Sequence, residues 1–435
     1  MEDKKEKAGM SRREFIKVAG MTAASVMASS AIGSKVFAQG APAPGRVIGA
    51  NDRINVAFIG VGGMGGGHLK SMKDKEAEWN IACVAVCDVW EKRKKWAQGR
   101  AGCPDNMVFG DYRKLLEVKD IDAVVISTPD HWHAPIAIAA MEAGKHVYVE
   151  KPMTRTLEEA FKMHATAKKT KRVVQVGSQG CSDAKWHTAG QVVREGKIGK
   201  VLGAQGSYCR NNPHGEWNYG IDPDLTEQTC DWKMWLGNAP KRPFSPERFF
   251  RWRKFWDYGN GIIGDLWPHR LHPLLIAMNM TDQFPKRVAC VGANCCNTDE
   301  GYGEKRDVAD FTMMIAEFPN GAQIYLLGST VNEQGVPDMI RGNKATLYFG
   351  GGKVEVRPER PWTDEIEQED VPVVGPGESH DVHRLNWLEC IRNGKEPNCG
   401  IDLGLRVQTI VSLAEMSYRK SKMALFDPDK QKAIL

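Results

Sequence analysis

Several functional classes are excluded by what this 435-residue chain lacks. Its eleven cysteines are odd in number, include no C-x-x-C pair and follow no repeating spacing, so no disulfide framework is predicted. No stretch approaches 18 uninterrupted apolar residues, and none is predicted to span a membrane. Internal repeats and low-complexity segments are absent apart from the termini. Charge of one sign is also scarce: beyond residue 38, 52 basic residues face 50 acidic ones. A chain that near neutrality offers no electrostatic footprint for nucleic acid or an anionic membrane. What remains is 42% hydrophobic and 26% charged, which is the composition of a soluble globular protein, and the length allows two domains.

The N-terminus divides into three parts. A charged stretch, MEDKKEKAGMSRR, precedes an apolar run from Val18 to Ile32, and small residues lead to Gln39. This tripartite pattern predicts a cleavable signal over residues 1–38, cut after Ala38. Its SRREFIK resembles the twin-arginine export consensus, which carries folded proteins across the inner membrane. The resemblance implies a periplasmic or other extracytoplasmic location, a passing encounter with the twin-arginine machinery, and no stable membrane insertion after cleavage. Residues 39–53, rich in Pro and Gly, read as a linker.

From residue 54 to 178, strand and helix patterns alternate. The apolar runs INVAFIG, IACVAVCD, DAVVIST, HVYVEKP and RVVQVGS read as buried parallel strands. Between them lie helix candidates at 64–73, 89–98, 111–117, 133–143 and 156–169. That alternation predicts an α/β fold with a doubly wound Rossmann sheet. From 179 to 435 the texture changes to longer β-rich runs, predicting an α+β domain on a mostly antiparallel, open-faced sheet. Two closing helices, 381–393 and 403–420, are expected to pack back on the first domain.

The first strand runs into GVGGMG, which sets Gly60, Gly62 and Gly65 at G-x-G-x-x-G spacing. Together with Gly63 and Met64 it predicts a tight turn, close approach to a pyrophosphate and a helix N-terminus facing its charge. Asp88 ends the second strand, where a carboxylate accepts hydrogen bonds from ribose hydroxyls and repels a 2′-phosphate. The expected cofactor is therefore NAD, with NADP less favoured; Arg93 nearby is the argument for the phosphate.

Ser127-Thr128-Pro129 at a strand end, His133 opening the next helix, and Glu150-Lys151-Pro152 after the following strand resemble the glucose–fructose oxidoreductase/inositol dehydrogenase (Gfo/Idh/MocA) family. The resemblance extends from Arg53 to the last helix. It implies a Rossmann domain followed by an open-faced sheet domain, often associating through that sheet into a homo-oligomer. It also implies that Thr128, Pro129, His133 and Glu150 line the cofactor site and that Lys151 hydrogen-bonds the reacting hydroxyl. Chemistry gives that lysine a reason, since removing hydride from a secondary alcohol requires a proton acceptor and a cation near the oxygen. Asp265 and His269, spaced i to i+4, fall on one face of a helical turn. They match the family's D-x-x-x-H pair, which implies His269 as acid/base and Asp265 beside it. The chain departs from the family in Trp267-Pro268 between the pair and in His272 three residues after the base.

The implied substrate is a sugar or polyol, with Gln179, Arg210, Trp267 and His272 as further substrate-binding candidates. Aromatic faces pack on sugar C–H faces and guanidinium groups grip hydroxyls, and six tryptophans fall between Trp217 and Trp267. No metal is expected: Asp265, His269 and His272 offer no fourth ligand, and dehydrogenation needs none. The roles of His380 and His383 stay open. A cofactor used outside the cytoplasm must be bound tightly before export, so turnover must close its own redox cycle. Two reactions meet that demand. One is hydride exchange between a sugar hydroxyl and the dinucleotide. The other is glycoside hydrolysis by oxidation, elimination, hydration and re-reduction, as in related α-N-acetylgalactosaminidases. A retired dehydrogenase serving as a sugar sensor is disfavoured by the joint presence of Lys151, Asp265 and His269.

Overall fold

The computed structural model describes residues 52–296 and 298–435. The predicted export signal and nearly all of the linker lie outside the described residues. Among the described residues, sixteen strands build two sheets.

The first sheet has six parallel strands in the order β3-β2-β1-β4-β5-β6. These are β1 (Ile54–Ile59), β2 (Ile81–Cys87), β3 (Val108–Phe109), β4 (Ala123–Ile126), β5 (His146–Glu150) and β6 (Val174–Gly177). Ala123–Ile126 is buried at every position because helices cover both faces, which is why the strand reads as an unbroken apolar run. The order reverses at β1 and β4, so the crevice at their C-terminal ends is the place where α/β sheets bind ligands. Helix α1 (Gly63–Asp74) enters that crevice with no side-chain cap, leaving its first amides free. By contrast α2 (Leu157–Thr170), on the sheet's flank, starts with a full capping box between Thr156 and Glu159.

The second sheet has ten strands in the order β14-β13-β12-β11-β7-β10-β9-β8-β15-β16. They are β7 (Val201–Cys209), β8 (Arg287–Ala293), β9 (Phe311–Glu317), β10 (Gln323–Ser329), β11 (Met339–Gly342), β12 (Ala345–Gly350), β13 (Lys353–Pro358), β14 (Glu369–Pro372), β15 (Ala424–Asp427) and β16 (Lys432–Ile434). All neighbouring pairs with a recorded register are antiparallel except β7 and β10. Strand alternation gives the sheet one dry face: Thr312, Met314 and Ala316 of β9 are buried, whereas Met313 and Ile315 between them are exposed. The dry face packs on α3 (Pro268–Ala277), whose Leu271, Leu274 and Leu275 are fully buried, and on α5 (Ile401–Lys420). Trp387, Leu388 and Ile391 of α4 (His380–Asn393) share a core with Ile54, Val56 and Leu69, so this C-terminal helix docks on the dinucleotide-fold half.

Three local expectations change. The chain does not close on two helices, because β15 and β16 follow α5 and extend the sheet edge. At four and three residues they are too short to show a strand pattern. Asp265 and His269 do not share one helix: a short helix ends at Asp265, and α3 begins at Pro268, where a proline's missing N–H costs nothing. The helix Ala184–Arg194, capped by Asp183, was absent from the sequence reading because no flanking strand pattern frames it. Among the described residues no helix is long and apolar enough to cross a membrane.

Candidate active site

A cavity of about 630 Å³ opens at the C-terminal ends of β1, β4 and β5. Its wall at one end is the glycine-rich turn: Gly60, Gly62, Gly63 and Met64 line it, with Asp88, Thr128, Pro129, His133 and Glu150. Gly60 sits at φ +80°, and a Cβ there would stand 2.9 Å from the Ser127 carbonyl. Gly65 does not line the cavity. It packs so closely that a Cβ would fall 1.9 Å from the Gly60 oxygen, which binds helix to strand. Asp88 accepts from Val61 N at 2.9 Å and Trp90 N at 3.0 Å, pinning the turn while each oxygen keeps a lone pair for another donor. The Ser127 and Thr128 hydroxyls are buried without hydrogen-bond partners among the described residues. Free helix amides, a cradle open only to backbone and two orphaned hydroxyls together fit a dinucleotide.

His133 bridges the two loops that carry these groups. Its Nδ1 lies 2.7 Å from Pro152 O and its Nε2 3.0 Å from Thr128 O. Burial lowers its pKa, so the neutral ring donates one of these and merely approaches the other. Glu150 is held by His68 Nε2 at 2.8 Å. Burial works to raise its pKa, but His68 and Lys151 outweigh burial and hold it at about 2.

At the cavity's centre, Lys151 Nζ donates to Asp265 Oδ1 at 2.7 Å and to its carbonyl at 2.6 Å. Arg253 Nε reaches the same Oδ1 at 3.0 Å, and Trp217 Nε1 donates to Oδ2 at 3.3 Å. Burial would raise the Asp265 pKa, but Arg253 and then Lys151 drive it far below the carboxylate range. Two cations around one permanent anion leave the cluster net positive, suited to charge developing on a substrate oxygen. His269 stands in the same cavity, stacked on Tyr208 with ring centroids 5.0 Å apart. Neither of its ring nitrogens has a hydrogen-bond partner among the described residues, and burial followed by the Lys151 charge pushes its pKa well below the usual value. A neutral imidazole with an uncommitted nitrogen can accept a proton.

The substrate candidates separate into two groups. Gln179 and Arg210 line the cavity; Gln179 donates to Glu378 at 2.9 Å, and Arg210 pairs with Glu216 at 3.0 Å. Trp267 and His272 do not line it. Trp267 is fully buried beneath β10, its Nε1 within 2.6 Å of where a Gly328 Cβ would be. His272 donates from Nδ1 to Pro268 O at 2.9 Å, back onto its own helix, and burial lowers its pKa to about 4. Neither side chain borders the cavity, although His269 on the same helix as His272 does. His380 lines the cavity, whereas His383 is locked between Ser182 Oγ at 2.7 Å and Val176 O at 2.9 Å. Sequence alone singles out none of Asp130, Tyr208 and Tyr219, and offers Arg253 only as one of several arginines interleaved with tryptophans; all four line the cavity. Arg253 stood in an Arg/Trp-rich stretch, but no spacing rule singled it out.

Another unexpected feature is the segment after β7. Residues 222–258 run back across the dinucleotide crevice and attach at two points. At one end, Trp90 and Cys230 form an antiparallel bridge, and Lys92 reaches Asp222 at 2.7 Å and Asp224 at 2.6 Å. At the other, Trp132 Nε1 donates to Trp235 O at 2.8 Å, and His131 N donates to Tyr258 O at 3.2 Å. Trp90, Leu225, Trp235, Phe249, Phe255 and Tyr258 form a separate apolar core beneath this strap. Arg93 is packed against Phe249 at 4.9 Å and Trp90 at 5.4 Å, with its guanidinium beside Gly62.

Comparison with known proteins agrees with this geometry. Residues 54–178 match the model described as oxidoreductase family, NAD-binding Rossmann fold, of the Gfo/Idh/MocA group, and residues 215–435 match its C-terminal alpha/beta domain. A glycosyl hydrolase family 109 protein of Shewanella pealeana is 32% identical over 213 residues, which is 46% of each chain. The chain spans about half the length of the curated relatives it matches. Levoglucosan dehydrogenase solved with NADH superposes with a TM-score of 0.65 at 22% identity, covering 86% of this chain and 98% of that one. An aldose-aldose oxidoreductase of Caulobacter crescentus gives 0.62 at 19% identity, covering 86% and 100%. At such identities these two show the fold.

The depressed His269 pKa has a direct readout. A group whose pKa is lowered stays deprotonated until the pH falls below its folded value. In ring-carbon NMR, with the signal assigned by its loss in His269→Gln, His269 stays neutral at about pH 6, where an ordinary histidine is largely charged. Titration at about pH 6.5 contradicts the buried, cation-flanked placement.

Proposed function

Since the chain belongs to the Gfo/Idh/MocA oxidoreductase family, we propose that it moves hydride between a resident nicotinamide dinucleotide and a secondary hydroxyl of a sugar or polyol. The observation that carries this reading is the meeting of Lys151, Asp265, Arg253 and partner-free His269 in one cavity with the glycine-rich turn. The dinucleotide, when bound, supplies the acceptor for the carbinol hydrogen. Lys151 holds the hydroxyl oxygen and stabilises its charge, while Asp265 keeps the ammonium group aimed into the cavity. His269 takes the hydroxyl proton. Asp88 favours NAD over NADP, while Arg93 lines the cavity beside Gly62 and is the feature that would suit a 2′-phosphate.

The second reading is redox-neutral glycoside cleavage at the same site, supported by the 32% identity to family 109 glycosyl hydrolases. Both readings work with a cofactor that does not leave, and the strap over the crevice supports tight retention. We place the working enzyme outside the cytoplasm on the strength of its N-terminal motif. A second copy is expected to cover the open sheet face, where Leu202, Val291, Met313 and Ile315 are exposed.

Two experiments test these statements. Protein recovered from the extracytoplasmic fraction carries about one dinucleotide per chain and shows nicotinamide reduction when the right sugar is added; Lys151→Met keeps the dinucleotide but loses about 10²–10⁴-fold in turnover. Empty protein, or unchanged turnover in the variant, contradicts the reading. For the assembly, Ile315→Arg halves the mass seen by light scattering, and an unaltered mass removes the sheet face as the interface.

A further inference from the structure

Among the described residues, Asp130 is the one acid lining the cavity whose carboxyl makes no hydrogen bond. It follows Pro129 at the end of β4 and is buried, 3% exposed, yet it lines the cavity. The other three acids there are committed: Asp88 to two backbone amides, Glu150 to His68, Asp265 to Lys151 and Arg253. The Asp130 carboxyl makes no hydrogen bond among the described residues. Its Oδ2 is walled by the backbone of Gly259, where a Cβ would stand only 3.1 Å away, and by the Trp252 ring on the same glycine. The charged groups facing it come from three other segments: Arg253, Asp265, and Lys151 with Arg155 on the loop after β5. Burial raises its pKa most, Arg253 opposes this, Asp265 adds to it, and the outcome is about 7. Near neutral pH, then, about half of the molecules hold a protonated carboxyl there, with an uncommitted oxygen, on the cavity that Lys151 and His269 also line.

We propose that Asp130 is the general acid that protonates the departing glycosidic oxygen, an assignment that rests on the glycoside-cleaving reading of the site. Simple hydride exchange on a free sugar needs one proton acceptor, which His269 already provides. Cleavage of a glycoside needs a second group, because an alkoxide is a poor leaving group. Once the hydroxyl two carbons from the anomeric centre has become a ketone, the C–H between them is acidic. His269, restored to its neutral form by loss of the hydroxyl proton to solvent, takes that hydrogen as a proton. The C–H electron pair becomes a C=C bond, the bond from the anomeric carbon to the aglycone oxygen breaks, and the Asp130 proton goes to that oxygen to release an alcohol. The Asp130 carboxylate then takes a proton from a water whose oxygen adds to the anomeric carbon. His269 returns its proton to the neighbouring carbon. The ketone regains hydride from the reduced dinucleotide and a proton from solvent, so the sum is glycoside plus water giving sugar plus alcohol, with no net redox change. Arg253 beside Asp130 stabilises the transient carboxylate.

The test compares leaving groups. Matched pairs of methyl and 2,4-dinitrophenyl glycosides of galactose, glucose and their 2-acetamido forms are given to the full chain with its bound dinucleotide. A nitrophenolate departs without help, whereas methoxide does not. Asp130→Asn is expected to lose about a hundredfold or more on the methyl glycoside and less than about tenfold on its partner, while retaining bound dinucleotide. The wild-type pH profile gives an answer independent of the variant's folding. The methyl glycoside rate falls as pH rises through about 7, where Asp130 loses its proton, and the dinitrophenyl rate lacks that limb. Equal losses on both substrates, or identical pH profiles, overturn the role of Asp130 alone. Release of neither aglycone by wild-type protein from any pair overturns the cleavage reading, and this assignment with it.

Discussion

The contact between Lys151 and Asp265 joins the two halves of this protein where chemistry is expected. Lys151 leaves the end of a Rossmann strand, and Asp265 ends a helix lying under the open sheet. Each side chain is 10% exposed, so neither charge is sustained by water. Removing one partner of such a pair costs about 3–5 kcal/mol, because the other charge stays buried and alone. The pair is therefore poor evidence of stability but a strict constraint on position. It ties the ammonium group to one point between dinucleotide crevice and sheet, and Arg253 and Trp217 hold Asp265 from the other side. A sugar hydroxyl entering this arrangement meets a cation already aimed and a neutral imidazole already free.

The strap adds a constraint of a different kind. A dinucleotide entering a bare Rossmann crevice leaves by the same route. Here the segment carrying Trp235, Phe249 and Trp252 closes over the crevice, bonded to the loop after β2 and to the loop after β4. Lifting this segment would break contacts at both ends and expose an apolar core that contains two tryptophans and two phenylalanines. Retention of this kind matches the demand that the proposed export would set.

Most of the dinucleotide half is legible in the sequence because parallel strands buried on both faces announce themselves, and the glycines at 60, 62 and 65 have few other uses. Lys151, Asp265 and His269 were found through a motif, and the cavity brings them together although the helix assumed to align the last two is broken at residues 266–267. Trp267 and His272 show the limit of that reasoning: spacing told which residues were near the base, not which way the chain would turn after it. Arg253 and Asp130 were not singled out for a related reason. Their importance depends on the strap and Gly259 arriving from distant sequence, and no local period encodes such a meeting. The short strands β15 and β16 were illegible because edge pairing needs little side-chain burial.

The central claim is that Lys151 and Asp265 act as one unit on the substrate oxygen. It is tested by a double-mutant cycle on the rate of first nicotinamide reduction, comparing wild type, Lys151→Met, Asp265→Asn and the double variant. Groups acting together are not additive. The account predicts that the double variant is about as slow as the slower single one. Losses that multiply across the two substitutions would mean that the residues contribute separately, and would contradict it.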